Sequence, residues 1–281
     1  MKVNDLEIHL LSDGEAKTDA GGPFGLVPKP YYEPYFKSDD KNRIAMALTC
    51  MLIISEGKTI LVDTGLGAKL SAKEIEFWGL ERPNGGLVDQ LAAKNIRPQD
   101  IDVVVNSHLH ADHCGGNTFQ SGDTVKATFA NATYLVQRME WAQASHPNAR
   151  TRGTYFENNF APLVGSGQMK LLHGDTAVTK EVKCVLTPGH TRGHQSLVLQ
   201  SGDWKAIFLS DLASYSVHML RTSWTTSYDV YPMQTVETKQ KWQRWVLSNN
   251  ALMFFQHDPQ TQVARLREQD GRLSLQPENY S

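Results

Sequence analysis

The stretch NSHLHADHCGG, residues 106–116, holds three histidines and one aspartate within six consecutive positions. The apolar run before it, residues 101–105, predicts a short buried strand, because β-branched side chains suit a covered, pleated position. Two glycines follow, so the chain then enters a loop or a new helix. In an extended loop, residues two apart point the same way, so His108, His110 and Asp112 would converge, and His113 would reach in from a neighbouring direction. This set of imidazole and carboxylate groups predicts a metal site.

The composition is that of an ordinary globular protein. Of the 281 residues, 40% are hydrophobic, and the formal net charge is −2. No basic excess is present to attract nucleic acid or an anionic membrane, so we expect neither as a partner. The first fourteen residues carry charges within their apolar stretch, which indicates a first strand and not a signal peptide.

The three cysteines are odd in number and widely spaced, which argues against a disulfide framework and favours a reducing compartment. We therefore expect a cytoplasmic protein, and we leave open whether it forms a homodimer. Cys114 lies beside the histidine cluster, but we interpret it as a small buried residue and leave it out of the metal set.

The order of elements predicts one domain over residues 1–281. A region rich in glycine, proline and aromatic residues, near 14–42, predicts a long ordered loop, and residues 43–65 predict a hairpin that turns at Glu56 and Gly57. Short strands and helices then alternate, with an outer helix over 235–250 and a last short strand over 251–258. Strands that turn back by hairpins, with helices outside, predict an α+β fold of two facing mixed sheets with outer helices.

Three further ligand-type residues follow apolar strands in the second half of the chain. His190 follows the strand VKCVLTPG, Asp211 follows WKAIFLS, and His257 follows ALMFFQ. Each alone is weak evidence, but together with the first cluster they predict that four strand ends present metal ligands.

These motifs resemble those of the metallo-β-lactamase superfamily, whose members are αββα sandwiches. HLHADH matches its HxHxDH motif, LVDTG its early aspartate turn, TPGHTRGHQS its second histidine motif, SDLAS its bridging-aspartate motif and FFQHDP its final histidine. The match runs in order along nearly the whole chain.

The resemblance implies a dinuclear site. One ion would be held by His108, His110 and His190, a second by Asp112, His113 and His257, and Asp211 would bridge the two. Asp63 would support the metal loop through hydrogen bonds. The cofactors implied are two divalent ions, zinc being the best match to the ligands, with manganese, iron or cobalt as alternatives.

Such a site implies a hydrolase that uses a metal-bridging hydroxide, with Asp112 as a catalytic proton acceptor. The segments DAGGPFGLVPKPYY and SWTTSYDVYPMQTVETKQKW resemble those of quorum-quenching N-acyl-homoserine lactone lactonases, so we expect a small neutral lactone or ester as substrate. The methyl parathion hydrolase branch has the same metal set, which leaves a phosphotriester as an alternative. A different class, a non-catalytic metal-stabilised binding protein, also stays open.

Several other residues are candidates for the site. Tyr215 and His218 are candidate catalytic residues, although Tyr215 lies four residues after Asp211, where the related lactonases place a tyrosine at three. Tyr228 is a third candidate for substrate contact, and a buried structural role is the alternative for each. Phe24, Leu26 and Val27 are candidates for an apolar wall that binds an acyl chain, and packing of their loop onto the sandwich is the alternative. We expect His194 to support the site or the fold, and His146 and His173 to lie at the surface.

Overall fold

Two mixed seven-stranded sheets face each other in the computed structural model, which describes residues 1–279. The first sheet has the order β1-β2-β3-β4-β5-β8-β9 and the second runs in chain order from β10 to β16. The strands of the first sheet are β1 (Lys2–Val3), β2 (Leu6–Asp19), β3 (Arg43–Ser55), β4 (Lys58–Val62), β5 (Val103–Val105), β8 (Thr133–Gln137) and β9 (Met169–Leu172). Those of the second are β10 (Thr176–Ala177), β11 (Val182–Leu186), β12 (Gln195–Ser201), β13 (Trp204–Phe208), β14 (Leu252–Phe254), β15 (Val263–Gln269) and β16 (Arg272–Pro277). A separate hairpin is formed by β6 (Thr118–Ser121) and β7 (Thr124–Ala127).

Each sheet contains parallel pairs within an antiparallel frame. In the first sheet β4, β5, β8 and β9 run parallel, and in the second β13 and β14 do. The carboxyl ends of parallel neighbours meet at one edge of a sheet, so the segments that follow them are brought together. This edge of the sandwich is where the predicted ligands lie.

The main core fills the space between the sheets. It is built from alternate residues of facing strands, such as Ile53 and Val62 in the first sheet and Leu197 and Phe208 in the second, all fully buried. Successive side chains of a strand point to opposite faces of its sheet, so every second residue faces the other sheet and contributes to this layer.

Helices cover the outer faces. Leu87 and Leu91 of α4 pack on the first sheet, and Trp242 and Val246 of α9 pack on the second. The αββα sandwich predicted from the sequence is confirmed. The helices are α1 (Gly21–Phe24), α2 (Lys29–Tyr32), α3 (Ala72–Trp78), α4 (Leu87–Ala92), α5 (Ala111–Cys114), α6 (Arg138–Ser145), α7 (Ala161–Gly165), α8 (Val217–Leu220) and α9 (Pro232–Ser248).

The predicted loop near 14–42 is shorter than expected. Residues 15–19 pair with β3 as part of β2, after a bulge between Ser12 and Glu15. Gly14 occupies this bulge at a φ of 127°, where a Cβ would lie 2.7 Å from Glu81 O. A glycine inside a strand marks a bulge or a close backbone approach, and here it marks both. The rest of the region holds α1 and α2, one turn each.

The prediction that residues 251–258 form the last strand was wrong. The chain continues through β15 and β16, which pair as a hairpin and extend the second sheet by two strands. Their turn places Asp270 and Gly271 at φ values of 52° and 72°, as the Asp-Gly pair of a two-residue hairpin turn requires.

None of the helices within residues 1–279 combines the length and the apolar character needed to cross a bilayer.

Candidate metal centre

Four strand ends deliver the ligand-type side chains to one place. His108 follows β5, His190 follows β11, Asp211 follows β13 and His257 follows β14. Each strand is anchored in the core by its apolar residues, so the backbone beyond it starts from a fixed point. The sequence pattern at the strand ends located these residues correctly.

The first cluster is only partly extended. His110 is the last extended residue, and Asp112 and His113 lie on the single turn of α5 that follows it. The expectation that residues 108 to 112 alternate along one extended loop is therefore wrong at Asp112. The helical turn rotates Asp112 and His113 away from His108 and His110 and toward a different set of neighbours.

The structure brings the seven predicted residues together in two groups. Within each group one ligand atom from every side chain lies within 4.8 Å of the others. The first group comprises His108, His110, His190 and Asp211, and the second comprises Asp112, His113 and His257.

The spacing of the ligand atoms fits a metal shell. His190 Nε2 lies 3.1 Å from His110 Nδ1, and His257 Nε2 lies 3.2 Å from His113 Nε2. Atoms about 2.0–2.1 Å from one ion at tetrahedral angles are about 3.3 Å from each other. Each pair of facing nitrogens therefore matches one edge of a coordination polyhedron.

Asp211 touches both groups. Its Oδ2 lies 3.2 Å from His190 Nε2 and 3.4 Å from His113 Nε2, while Oδ1 lies 3.3 Å from His257 Nε2. One carboxylate thus has an oxygen within ligand-to-ligand distance of histidines on either side. Asp112 Oδ2 is 3.6 Å from both His113 Nε2 and His257 Nε2, and its side chain is 16% exposed. Asp112 is therefore the carboxylate that a molecule from solvent can reach.

Buried polar atoms without partners show that the donor set fits a metal. Among residues 1–279, His108 Nε2 and Asp211 Oδ1 are buried and make no hydrogen bond. Leaving such an atom unpaired costs about 1–3 kcal/mol, and more when it is charged. A divalent cation would satisfy both atoms, because imidazole nitrogen and carboxylate oxygen are its usual ligands.

Other side chains hold the ring nitrogens that face away from the cluster. Asp63 Oδ2 lies 3.0 Å from His113 Nδ1 and also accepts from Ser107 Oγ, and Asp229 Oδ1 lies 2.9 Å from His190 Nδ1. His257 Nδ1 donates to Ala47 O at 2.8 Å, and Ala47 N donates back to His257 O at 3.0 Å. A proton fixed on Nδ1 leaves Nε2 unprotonated and facing the cluster, which is the tautomer that binds a metal.

Burial favours the neutral, metal-binding form of His108 and His110. It lowers the pKa of His108 and of His110 well below the ordinary value, and neighbouring histidines lower both further. His194 lies behind the cluster and accepts a hydrogen bond from Asp211 N at 3.1 Å. Burial lowers the pKa of His194 to about 3, so this ring stays neutral and acts as an acceptor that positions Asp211.

The polar groups of Tyr215 and His218 form hydrogen bonds with the backbone and are not directed at a substrate, as the predicted catalytic role would require. The Tyr215 hydroxyl donates to Ala45 O at 3.0 Å and the residue is only 1% exposed. His218 Nε2 donates to Pro23 O, and its Nδ1 accepts from Tyr215 N. Both polar groups are used to fix backbone, so the structure gives the two residues a packing role and does not support substrate contact.

Of the two roles predicted for Phe24, Leu26 and Val27, the structure supports packing for Phe24 and Val27 and leaves Leu26 exposed. Phe24 is fully buried and stacks on Tyr32 at 4.4 Å between ring centroids, so it belongs to an aromatic core. Val27 packs against that core, whereas Leu26 is fully exposed at the tip of the segment. The tertiary cluster of aromatic rings, which no local pattern shows, decides which of the three faces solvent. His146 and His173 are exposed, as predicted.

Two important residues escaped sequence reasoning. Asp229 lies in a loop without periodic pattern, and only the fold places it against His190. Glu140 is fully buried on α6 and accepts from Leu109 N at 2.9 Å, Tyr155 Oη at 3.1 Å and Thr191 Oγ1 at 2.5 Å. It thus ties the loop between His108 and His110 to the loop after His190. The one available signal was a charged residue among the apolar positions of α6.

Comparison with known proteins points in the same direction. The chain is 29% identical over 191 residues to the N-acyl homoserine lactonase AttM of Rhizobium radiobacter, covering 65% of this chain and 68% of that protein. A probable metal-dependent hydrolase from Staphylococcus aureus superposes with a TM-score of 0.90 at 29% identity over 100% of both chains. AidC, a dizinc quorum-quenching lactonase, superposes with a TM-score of 0.80 at 21% identity over 100% of this chain and 97% of that one, which shows a shared fold.

The family model described as the metallo-beta-lactamase superfamily matches residues 46–257, from β3 to the last histidine of the cluster. The match includes all seven ligand-type residues as well as Asp63 and Asp229. The chain therefore belongs to the metallo-β-lactamase superfamily and is a hydrolase.

Proposed function

We propose that this hydrolase opens lactones of the N-acyl homoserine type at a dinuclear metal site. His108, His110 and His190 would hold one divalent ion, and Asp112, His113 and His257 a second. Asp211 carries this proposal, because its two oxygens lie 3.2–3.4 Å from histidine nitrogens of both groups. A carboxylate in that position is the natural bridge between two ions.

Two divalent ions held there would polarise the acyl oxygen of an ester and bring the pKa of a water molecule toward 7. The protein supplies the geometry and the proton transfer. Asp112 is the exposed carboxylate of the cluster, so it is placed to accept a proton during attack and to return it to the ring oxygen that leaves.

Zinc is the ion that we propose first. Five nitrogen ligands and two carboxylates suit zinc, and the structural neighbour AidC is a dizinc lactonase. Manganese, iron and cobalt accept the same donors, so loading also depends on availability.

A neutral substrate is favoured by the segment that precedes β3. Residues 21–32 contain one lysine and no arginine, so this segment offers no fork of donors to clamp a carboxylate or phosphate. Leu26 and Tyr31 are exposed apolar side chains of the same segment. The relative AttM is a lactonase, and we extend that substrate class to this chain.

The test combines metal analysis with a substrate panel. Purified protein should contain close to two ions per chain and should hydrolyse N-acyl homoserine lactones in a metal-dependent manner. His108→Ala should lose metal and activity, while His146→Ala, which changes an exposed histidine, should keep both. Absence of turnover on any ester would indicate a binding protein, and phosphotriester turnover above every lactone would assign the chain to that alternative.

A further inference from the structure

A chain of buried polar side chains lies beside the ligand cluster. Ser210 Oγ is 2.8 Å from Ser107 Oγ and also 2.8 Å from Gln256 Oε1. Ser107 Oγ in turn donates to Asp63 Oδ2 at 2.7 Å. All four residues are at most 1% exposed. Three of them directly precede ligand candidates in the sequence, namely Ser107 before His108, Ser210 before Asp211 and Gln256 before His257.

The chain connects the two sheets at the edge where the cluster lies. Asp63 and Ser107 follow β4 and β5 of the first sheet. Ser210 and Gln256 follow β13 and β14 of the second sheet. The contact between the two serine hydroxyls therefore crosses from one sheet to the other. Because each serine is followed directly by a ligand candidate, this contact helps to set the distance between ligands of the two sheets.

The backbone of Ser210 gives independent evidence that its hydroxyl has a task. Its φ is 49°, in the left-handed region that residues with a Cβ rarely adopt. Glycine would adopt this conformation without strain. Strained residues other than glycine persist where the surrounding structure holds them, and they are frequent at functional sites. The contacts with Ser107 and Gln256 are what serine offers here and glycine would lack.

The number of available protons assigns a direction to these hydrogen bonds. A serine hydroxyl has one proton, so Ser210 cannot donate both to Ser107 and to Gln256. Ser107 donates its own proton to the carboxylate of Asp63, so it must accept from Ser210. With Oε1 toward Ser210, Gln256 would then face the hydroxyl oxygen with no proton between them. In that orientation Gln256 Nε2 is buried without a hydrogen-bond partner among residues 1–279.

We propose that the hydrogen bonds of this chain all point one way, from the Gln256 amide nitrogen to Ser210, then to Ser107 and Asp63, and that Ser210 thereby positions ligands of both ions. This proposal rests on the proposed dinuclear metal site. The Ser107 oxygen then remains an acceptor for His108 Nδ1, which lies 3.1 Å away. A proton on His108 Nδ1 leaves Nε2 free for a metal ion, so the chain fixes the metal-binding tautomer of His108.

The first test removes the hydroxyl without adding strain. Ser210→Gly suits the local φ and deletes the link between the sheets. We expect about a 10–100-fold loss of zinc affinity, the range typical of residues that orient metal ligands. Competition with a chromogenic chelator measures the affinity, and circular dichroism checks the fold. If the serine served the backbone alone, the glycine variant would bind zinc at least as tightly as wild type, and that result would overturn the proposal.

Ser55→Ala is the matched control, because it also deletes a fully buried hydroxyl. Ser55 donates to Glu181 Oε2 and pairs with Lys58 at the start of β4, so it lies at the opposite edge of the first sheet. Its loss should lower stability and leave zinc affinity unchanged. An equal loss of zinc affinity in this control would show that deleting any buried hydroxyl has the same effect, which would contradict a specific role of Ser210.

A double variant tests whether the two serines act in one chain. Ser107→Ala should also weaken zinc binding, because it removes the acceptor of His108 Nδ1. Adding Ser210→Gly should then cost little more, since the contact between the two hydroxyls is already broken. Losses that add in full would show that the hydroxyls act separately, contrary to the proposal.

Neutron diffraction locates the protons without any variant. Crystals of perdeuterated, zinc-loaded protein should show one deuterium between Ser210 and Ser107 and another on the Gln256 atom that faces Ser210. A Ser210 deuterium directed at Gln256 would refute the proposed direction. Wild-type protein that binds no zinc would instead defeat the proposed metal site, so the two failures are distinguishable.

Discussion

Asp229 Oδ1 lies 2.9 Å from His190 Nδ1, although the two residues are 39 positions apart in the chain. Both side chains are almost completely buried. The carboxylate holds the proton on Nδ1 and leaves Nε2 facing His110 and Asp211. A residue outside the ligand set thus determines which nitrogen of His190 faces the cluster.

Asp229→Asn should weaken metal binding without unfolding the protein. The amide keeps the volume but loses the charge and orients the ring less well, so we expect about a 10–100-fold loss of zinc affinity. Competition with a chromogenic chelator measures it. Asp203→Asn, in the exposed turn between β12 and β13, is the control and should bind zinc as wild type does. Equal affinities for the two variants would contradict this role.

Glu140→Ala should destabilise the fold strongly. It leaves the Leu109 amide and the hydroxyls of Tyr155 and Thr191 without their buried acceptor. Each unsatisfied donor costs about 1–3 kcal/mol, so we expect a loss of about 3 kcal/mol or more in the free energy of unfolding. Urea denaturation measures it. Glu140→Gln retains an acceptor oxygen and should lose less, and a smaller loss for alanine than for glutamine would refute the interpretation.

Removal of metal should lower thermal stability. His108 Nε2 and Asp211 Oδ1 have no hydrogen-bond partner among the described residues. Without metal, these unpaired buried atoms should lower the free energy of unfolding. A ligand that binds the folded state but not the unfolded state stabilises the fold. At a free zinc concentration of one hundred times the dissociation constant, the free energy of unfolding would rise by about 2.7 kcal/mol. Calorimetric melting with chelator and then with restored zinc checks this. The midpoint should fall and recover, and the same scans on His108→Ala should show a much smaller difference.

Stability should fall on the acid side partly because of His218. Burial lowers the pKa of His218 to about 3, below the value of 6.5 in the unfolded chain. Between these values the unfolded state binds a proton that the folded state lacks, so stability decreases as pH falls from 6.5. The slope from this one group is about 1.4 kcal/mol per pH unit.

The variant His218→Gln isolates that contribution, because it can still donate to Pro23 O. Urea denaturation at pH 7, 6 and 5 should give a shallower loss of stability for the variant than for wild type. Parallel curves would show that the His218 ring is protonated in the folded chain.

Local sequence patterns were sufficient to predict where the strands end, but they could not predict the contacts between segments that are distant in the chain. The apolar runs before His108, His190, Asp211 and His257 are each a few residues long, so the position of each ligand follows from its own neighbourhood. The helix α9 was also predicted, and it begins at Pro232, three residues earlier than expected, because proline is favoured in the first turn.

The failures have a common physical cause. Gly14 lies in the predicted loop region until β3 is seen to pair beside it. Phe24 could line an acyl wall or pack on the sandwich, and only its stacking on Tyr32 decides between the two. Asp229 has no local signature. The role of each is set by a partner distant in the chain, and burial or pairing by such partners outweighs local preference.

The reciprocal hydrogen bonds between Ala47 and His257 join β3 of the first sheet to the segment after β14 of the second. These two hydrogen bonds thus connect the two sheets at the edge where the ligand cluster lies. A local opening that separates the two sheets at this edge must also move His257, a proposed ligand of the second ion. Ion binding and this local opening are therefore thermodynamically linked, and a bound ion should make the opening less favourable. An ion held there would stabilise the contact between the two sheets. The hydrogen-exchange rate of the Ala47 amide would then report how often this contact opens.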